Sequence, residues 1–435
     1  MKNSDIKIEG VPKESFYDKP LEIRIHNLPH EKAAKLTLDS DSKSYGSSEA
    51  VYKSNKEGKI DLTEQKPIDG DYDGIKPMGL FQFRPEKKQS KVEDNDSNKT
   101  PNSEDFQLTL EIDGNNIAKK EFKRIIKADH VERVEVKENK LEGVLFKPTG
   151  DPPYPAVIVL GGSGGRCPTG IQTKLLASRG YAVLALAIYG SGDLPDELMG
   201  VPLEYFEKAV SWMKSKDHIK NKPIGVMGGS KGGELALLLG SHIEEIQTVI
   251  AYSPSGVVFQ GISQSFGEPT SSWSYDNEPI DYVDLPFLPI ISMYLKYLFL
   301  KKPIQWEKIY SKGFNSSDSE TIKESTIPVE KIGGSILLIS GGDDKMWNAN
   351  QLSKISVKRL KKNNYPHPYK HLNFEKAGHV FMAPFTPITG RDLVNEGKWK
   401  IGGKPEGFSK GDRKSWKYAL KFLEKGLKNT SEKGG

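Results

Sequence analysis

The chain has 435 residues, of which 36% are apolar, 42 are glycine and one is cysteine; such a composition supports a sizeable core and excludes global disorder. A lone cysteine excludes an intramolecular disulfide framework and any multi-cysteine zinc or iron–sulfur site. The net charge of +5, from 63 basic and 58 acidic residues, is small and dispersed, so nucleic acid is not an expected partner. No apolar h-region follows Met1, and Ser431–Gly435 carries no peroxisomal or lipidation signal. The expectation is a soluble cytoplasmic protein without stable membrane insertion.

Residues 1–130 carry short alternating segments: Leu21–Ile25, Ala34–Leu38, Phe106–Ile112 and, less regularly, Ala118–Ile125. Period two broken by turn residues predicts an antiparallel, immunoglobulin-like β-sandwich domain. Between them, Arg84 to Asp105 is almost wholly polar, which predicts a long mobile loop because it offers no apolar area to bury.

From 131 to 435 the texture changes. Pro155–Leu160, Gly180–Leu186, Ile224–Met227, Thr248–Ala251 and Ser335–Ile339 are continuous apolar runs, separated by helix-period stretches such as Leu203–Met213 and Glu234–Leu239. Strands buried on both faces and alternating with helices predict an α/β domain with a doubly wound, mostly parallel sheet. Residues 255–330 interrupt the alternation with aromatics, densest in Phe287–Leu300. Fourteen residues broken by Pro289 and Lys296 are too short to span a bilayer, so an inserted cap over the sheet edge is expected. A last amphipathic helix is expected from Asp412 onward.

The sharpest motif is Gly228-Gly229-Ser230-Lys231-Gly232, which fits G-x-S-x-G after an apolar strand and before a helical pattern. A strand turning sharply into a helix exposes the serine Oγ, and small residues two before and two after relieve the clash. Ser230 is the expected nucleophile, and the Lys231 N–H at the helix start the expected oxyanion donor. The order G-x-x-x-x-G-K-[ST] of a phosphate loop is missing. A second cluster, Gly161 to Arg166, follows the first apolar run. Cys167 stands where a dinucleotide loop needs its third glycine, so this is read as the other oxyanion loop, through Gly162 or Ser163. Gly341-Gly342-Asp343-Asp344 follows a later strand, at the end where such sheets hold their sites. Asp344 is preferred to Asp343 as the orienting acid, with Asp343 left to cap the following turn. His379 is the expected base; His371 falls inside a candidate strand and His367 in the polar stretch before it. Cys167 is read as a buried, inert thiol. No cofactor and no metal are expected.

Several stretches besides Ser230–Leu235 are specific: Asp73–Leu80, Asp193–Pro195, Leu203–Val210 and Gly342–Trp347. Through them the chain resembles the acyl-CoA thioesterase and bile-acid-CoA:amino acid N-acyltransferase family, from about Pro20 to about Pro384. The resemblance implies a β-sandwich followed by an α/β-hydrolase whose Ser–Asp–His triad acts on acyl-CoA thioesters. The stretches 84–105 and 255–330 are longer than that pattern. In such a frame the aromatic insert lines the acyl pocket, with Phe287 and Tyr294 as substrate-binding residues. The N-acyltransferase branch of the family carries cysteine where this chain has Ser230, so hydrolysis to free acid and CoA is the expected outcome. Alternatives are a carboxylesterase acting on an oxygen ester (lipid, xenobiotic or antibiotic), amino acid N-acyl transfer, and a non-catalytic binding protein that keeps the fold.

Overall fold

The computed structural model describes residues 6–87, 100–220, 223–263, 268–395 and 397–428. The chain divides into two compact units, Met1–Ala128 with Met382–Gly390, and Asp129–Phe381 with Arg391–Gly435.

The first unit holds a three-stranded and a six-stranded sheet. In the larger sheet, Ala33–Ser40 pairs antiparallel with both Ser48–Lys53 and Ser103–Ile112, and the last of these with Asn115–Ile125. Strict alternation along 103–112 turns Phe106, Leu108, Leu110 and Ile112 into the core with Leu36, Leu38 and Tyr52. Period-two patterning thus decides which face is buried. One pair is parallel, Glu14–Phe16 with Lys123–Ile125. The expected strand Leu21–Ile25 is displaced: Leu21 and Ile23 are buried, but the ladder starts at Arg24–His26 because the Leu21 N–H donates to Met78 Sδ instead. Phe385, far along the chain, also joins this core.

The expected mobile loop at 84–105 is corrected at both ends. Arg84 is fully buried and ion-paired with Glu104, with Ser40 Oγ between them, 2.6 Å from Arg84 Nη1 and 2.7 Å from Glu104 Oε1. Ser103–Asp105 belong to a strand. A buried guanidinium needs its carboxylate, and losing one partner of such a pair costs about 3–5 kcal/mol. Residues 88–99 lie outside the described residues.

The second unit is built on an eight-stranded sheet. Its strands are β1 (Val131–Val136), β2 (Gly143–Pro148), β3 (Ala156–Leu160), β4 (Ala182–Leu186), β5 (Ile224–Gly229), β6 (Ile246–Tyr252), β7 (Ser335–Gly341) and β8 (Tyr369–Phe374). They lie in the order β1-β2-β4-β3-β5-β6-β7-β8. β2 is antiparallel to both its neighbours, and the rest run parallel. The helices are α1 (Ile171–Ala177), α2 (Leu203–Lys214), α3 (Lys231–His242), α4 (Phe287–Leu300), α5 (Glu307–Ser316), α6 (Ser319–Ser325), α7 (Ala349–Lys362) and α8 (Pro405–Leu423). This is the α/β-hydrolase architecture. Every residue of β3 and β4 is buried, which is why those runs carry no alternation. The final helix starts at Pro405 rather than at Asp412, proline being well suited to a first helical position.

Winding reverses at β3. The chain steps from β3 to β4 on one side, then crosses back to β5 on the other, so the carboxyl ends of β3 and β5 form the switch point where such sheets bind ligands. The insert joins β6 to β7, which pair with each other inside the sheet. It therefore leaves the carboxyl end of the inner strand β6 and returns to the amino end of β7, rather than joining an edge strand. There Val257, Phe259 and Tyr310 pack with Trp347, Ala349 and Leu352 in a small second core.

His371 on the edge strand β8 lies 2.7 Å from Ser340 Oγ. Burial, helped by Lys354, pulls its pKa down to about 4. The unfolded chain protonates this imidazole near its ordinary value of 6.5, so stability falls as pH drops from about 6.5 toward 4. Urea midpoints for wild type and His371→Gln across that window should converge at low pH, the variant losing less. Parallel curves would remove His371 from the acid response.

Candidate active site

Ser230 sits between β5 and α3 with φ 57° and ψ −124°, a left-handed backbone that side chains other than glycine rarely adopt. The turn is held by the Ser230 N–H donating to Tyr252 O at 2.8 Å and by Ser230 O accepting from the N–H groups of Gly233 and Glu234. Two glycines permit it. A Cβ on Gly228 would come within 2.0 Å of Gly232 O, and one on Gly232 within 1.9 Å of Gly161 O.

The structure brings three of the expected residues into one hydrogen-bonded row. His379 Nε2 is 2.8 Å from Ser230 Oγ, and its Nδ1 is 2.8 Å from Asp344 Oδ2. His379 and Asp344 are 7% and 5% exposed, so this pairing is made away from bulk water, where electrostatic interactions are stronger. Asp344 Oδ1 accepts from the N–H groups of Met346 and Trp347, at 2.8 and 3.2 Å. The turn is thus capped by Asp344 and not, as expected, by Asp343. Asp343 instead accepts from the Gly403 N–H at 3.0 Å and pairs with Lys345 at 2.7 Å. Burial raises the Asp343 pKa, but Lys345 and the Gly403 N–H outweigh it and hold the carboxyl below its ordinary value.

The loop after β3 also reaches the serine. A Cβ on Gly162 would lie 3.2 Å from Ser230 Cβ and 3.8 Å from its Oγ, so nothing larger than glycine fits without a shift. Ser163 directs its carbonyl to the Tyr189 hydroxyl. Lys231 offers its main-chain N–H at the start of α3, while its side chain turns inward. The Lys231 ammonium is 3.0 Å from Glu234, 2.8 Å from Ser272 Oγ and 3.2 Å from Phe259 O, and Trp273 Nε1 donates to Glu234 at 2.9 Å. Burial lowers the Lys231 pKa and raises that of Glu234, and their mutual attraction opposes both.

Sequence reasoning missed this network and the part played by Ser253. Ser253 has φ 44°, donates to His379 O at 2.5 Å, and accepts through its own carbonyl from Trp347 Nε1 at 2.8 Å. The Trp347 ring stands 6.0 Å from the His379 ring. Of these, only Trp347 left a signal, as the tryptophan just after the aspartates. Phe259, Tyr310, Phe314 and Leu352, with as many polar side chains, line a small recess.

Phe287 and Tyr294 both lie on α4, 60% and 38% exposed, and no residue of that helix is buried. Cys167 is partly buried, donates toward Glu142 O at 3.7 Å, and has its thiol pushed up to about 11 by burial, a setting for an unreactive thiol. Among the described residues no group of three or more His, Cys, Asp or Glu could hold a metal ion.

The family model described as BAAT / Acyl-CoA thioester hydrolase C terminal matches residues 201–429, and that described as Acyl-CoA thioester hydrolase/BAAT N-terminal region matches residues 18–138. The chain belongs to the BAAT / acyl-CoA thioester hydrolase family. It is similar to "Acyl-coenzyme A amino acid N-acyltransferase 1" of Mus musculus, 27% identical over 98% of this chain and 99% of that protein. It is also similar to "Acyl-coenzyme A thioesterase 1" of Mus musculus, 28% identical over 95% of this chain and 94% of that protein. Among solved structures it resembles Pyrococcus horikoshii acylaminoacyl peptidase, with a TM-score of 0.43 and 12% identity, covering 96% of this chain and 68% of the other. As a member of this family the chain is a hydrolase-fold enzyme.

Proposed function

We propose that the protein hydrolyses acyl-CoA thioesters to a free acid and CoA through a Ser230–His379–Asp344 triad. The observation that carries the reading is the unbroken row from Ser230 Oγ through His379 to Asp344, with 2.8 Å at both links, on a strained strand-to-helix turn. His379 Nε2 takes the hydroxyl proton as Ser230 Oγ attacks the acyl carbonyl carbon. Asp344 holds the tautomer and stabilises the imidazolium. The Gly162 and Lys231 N–H groups receive the oxyanion, aided by the positive end of α3. Collapse breaks the carbon–sulfur bond, and the leaving thiolate takes the proton from His379. Water, deprotonated by His379, then attacks the acyl ester and releases the acid with Ser230 restored.

A second reading, transfer to an amino acid, has its support in the N-acyltransferase relatives, which match over as much of the chain. The nucleophile argues against it. An oxygen-ester intermediate on Ser230 is less reactive toward amines than the thioester a cysteine would form, and turns over when activated water reaches it. Incubation with an acyl-CoA and millimolar glycine or taurine, followed by mass spectrometry, should give free acid as the main product. A dominant acyl-glycine or acyl-taurine would replace hydrolysis by transfer. Faster turnover of p-nitrophenyl esters than of every acyl-CoA in a chain-length series would assign an oxygen ester instead.

A further inference from the structure

Surface helices ordinarily turn their apolar stripe inward and their charges outward. Helix α4 is apolar almost all round and leaves an apolar face in solvent. Phe287, Leu288, Ile291, Leu295, Leu298 and Phe299 are 60, 75, 38, 48, 57 and 75% exposed. At 3.6 residues per turn they share one face, an arc of roughly 120°. The opposite side, Pro289, Ile290, Met293 and Tyr297, is half-buried against the protein. Leu393, 38% exposed, adds to the apolar surface from the short strand Leu393–Val394, whose partner Trp399–Lys400 bridges to Ile304 just beyond the helix.

The charges carried by the helix and the residues just after it are lysines. Between Asp284 and Glu307 the only charged residues are Lys296, Lys301 and Lys302. Lys398 joins them, its Nζ 5.7 Å from the ring centroids of both Tyr294 and Tyr297. We infer that α4 is an interfacial anchor that seats this unit on a bilayer containing anionic phospholipid. An apolar helix face bordered by lysines lies in the plane of a membrane, with Phe and Leu among the acyl chains and ammonium groups at the phosphates. Fourteen residues span roughly 21 Å, against about 30 Å of hydrocarbon, so the helix lies on the membrane rather than across it. Among the described residues no helix is long and apolar enough to cross one. A second copy of the chain is the alternative occupant, and sedimentation decides for or against it.

The face is tied to the candidate site by packed rings, from Tyr294 to Trp306 at 6.1 Å, to Tyr310 at 6.4 Å, to Trp347 at 5.3 Å and to His379 at 6.0 Å.

Vesicle flotation tests the anchor without reference to turnover, so its failure would leave the catalytic reading untouched. Phosphatidylcholine vesicles mixed with phosphatidylglycerol should carry the protein at least about tenfold more strongly than phosphatidylcholine alone. Leu295→Glu with Phe299→Glu should abolish binding, and Lys301→Glu with Lys302→Glu should weaken it about tenfold. Thermal midpoints should hold in both, since these side chains are exposed. Sedimentation velocity of the same proteins examines the other occupant. The inference is overturned if wild type does not float, if the Leu295/Phe299 variant floats equally well, or if that variant dissociates a dimer while no form binds vesicles.

Discussion

Ser230→Ala should lower kcat on an acyl-CoA by roughly 10⁴-fold or more with the fold intact, because nucleophile, base and orienting acid act as a unit. The Ser230 side chain makes one hydrogen bond of consequence, to His379 Nε2, and the turn around it is held by main-chain bonds and by the glycines at 228 and 232. Alanine can take the same backbone path, so loss of activity and loss of fold are separable by circular dichroism and thermal melts. The residual rate should reflect the oxyanion donors and binding alone. A variant keeping more than about a tenth of wild-type activity has lost only ~1.4 kcal/mol of transition-state stabilisation, too little for a nucleophile. That result would move the chemistry off the elbow. A fluorophosphonate probe gives the complementary test: wild type should label at Ser230 and the variant should not.

Asp344→Asn should cost roughly 10⁴-fold in kcat. Asp344 Oδ1 is committed to the Met346 and Trp347 N–H groups and Oδ2 to His379 Nδ1. An asparagine that keeps its carbonyl oxygen on the two N–H groups must turn its amide N–H₂ toward the imidazole. Nδ1 then becomes the acceptor, the ring proton moves to Nε2, and no lone pair faces the Ser230 hydroxyl. Asp343→Asn should cost less than about tenfold, since Asp343 faces Lys345 and Gly403 and its change does not reach His379 directly. The reverse ranking would make Asp343 the orienter and place the active protonation network in a loop arrangement other than the one seen. Kinetics of both variants over pH, at saturating and limiting substrate, separate a tautomer defect in kcat from a binding defect in KM.

What was legible in the chain came from requirements that are local. A tight strand-to-helix turn needs glycine at 228 and 232, and a strand covered on both faces needs unbroken apolar runs such as Ala156–Leu160 and Ala182–Leu186. Those constraints act on neighbours in sequence, so the elbow, the sheet type and the order serine, aspartate, histidine all leave a trace in spacing and composition. Burial of polar side chains does not, because it depends on which distant segment arrives. Nothing in the spacing of Lys231 and Glu234, three residues apart, signals that they are buried. They are 1% and 0% exposed in the fold only because Phe259, Ser272 and Trp273 close over them. Arg84 and Glu104 look equally solvent-facing in a polar stretch until Ser40 is brought between them from another strand. The choice between two adjacent aspartates rested on which one met His379 from 35 residues away. The direction of α4 is the opposite case. Its aromatic and aliphatic density predicts burial, and hydrophobic transfer alone would favour it at about 25 cal/mol per Å². Yet the insert folds with that face turned outward, while Val257, Phe259, Tyr310 and Trp347 form its small core. Composition sets how much apolar surface a segment carries, while packing against the rest of the chain sets which part of it is left for water or for a partner.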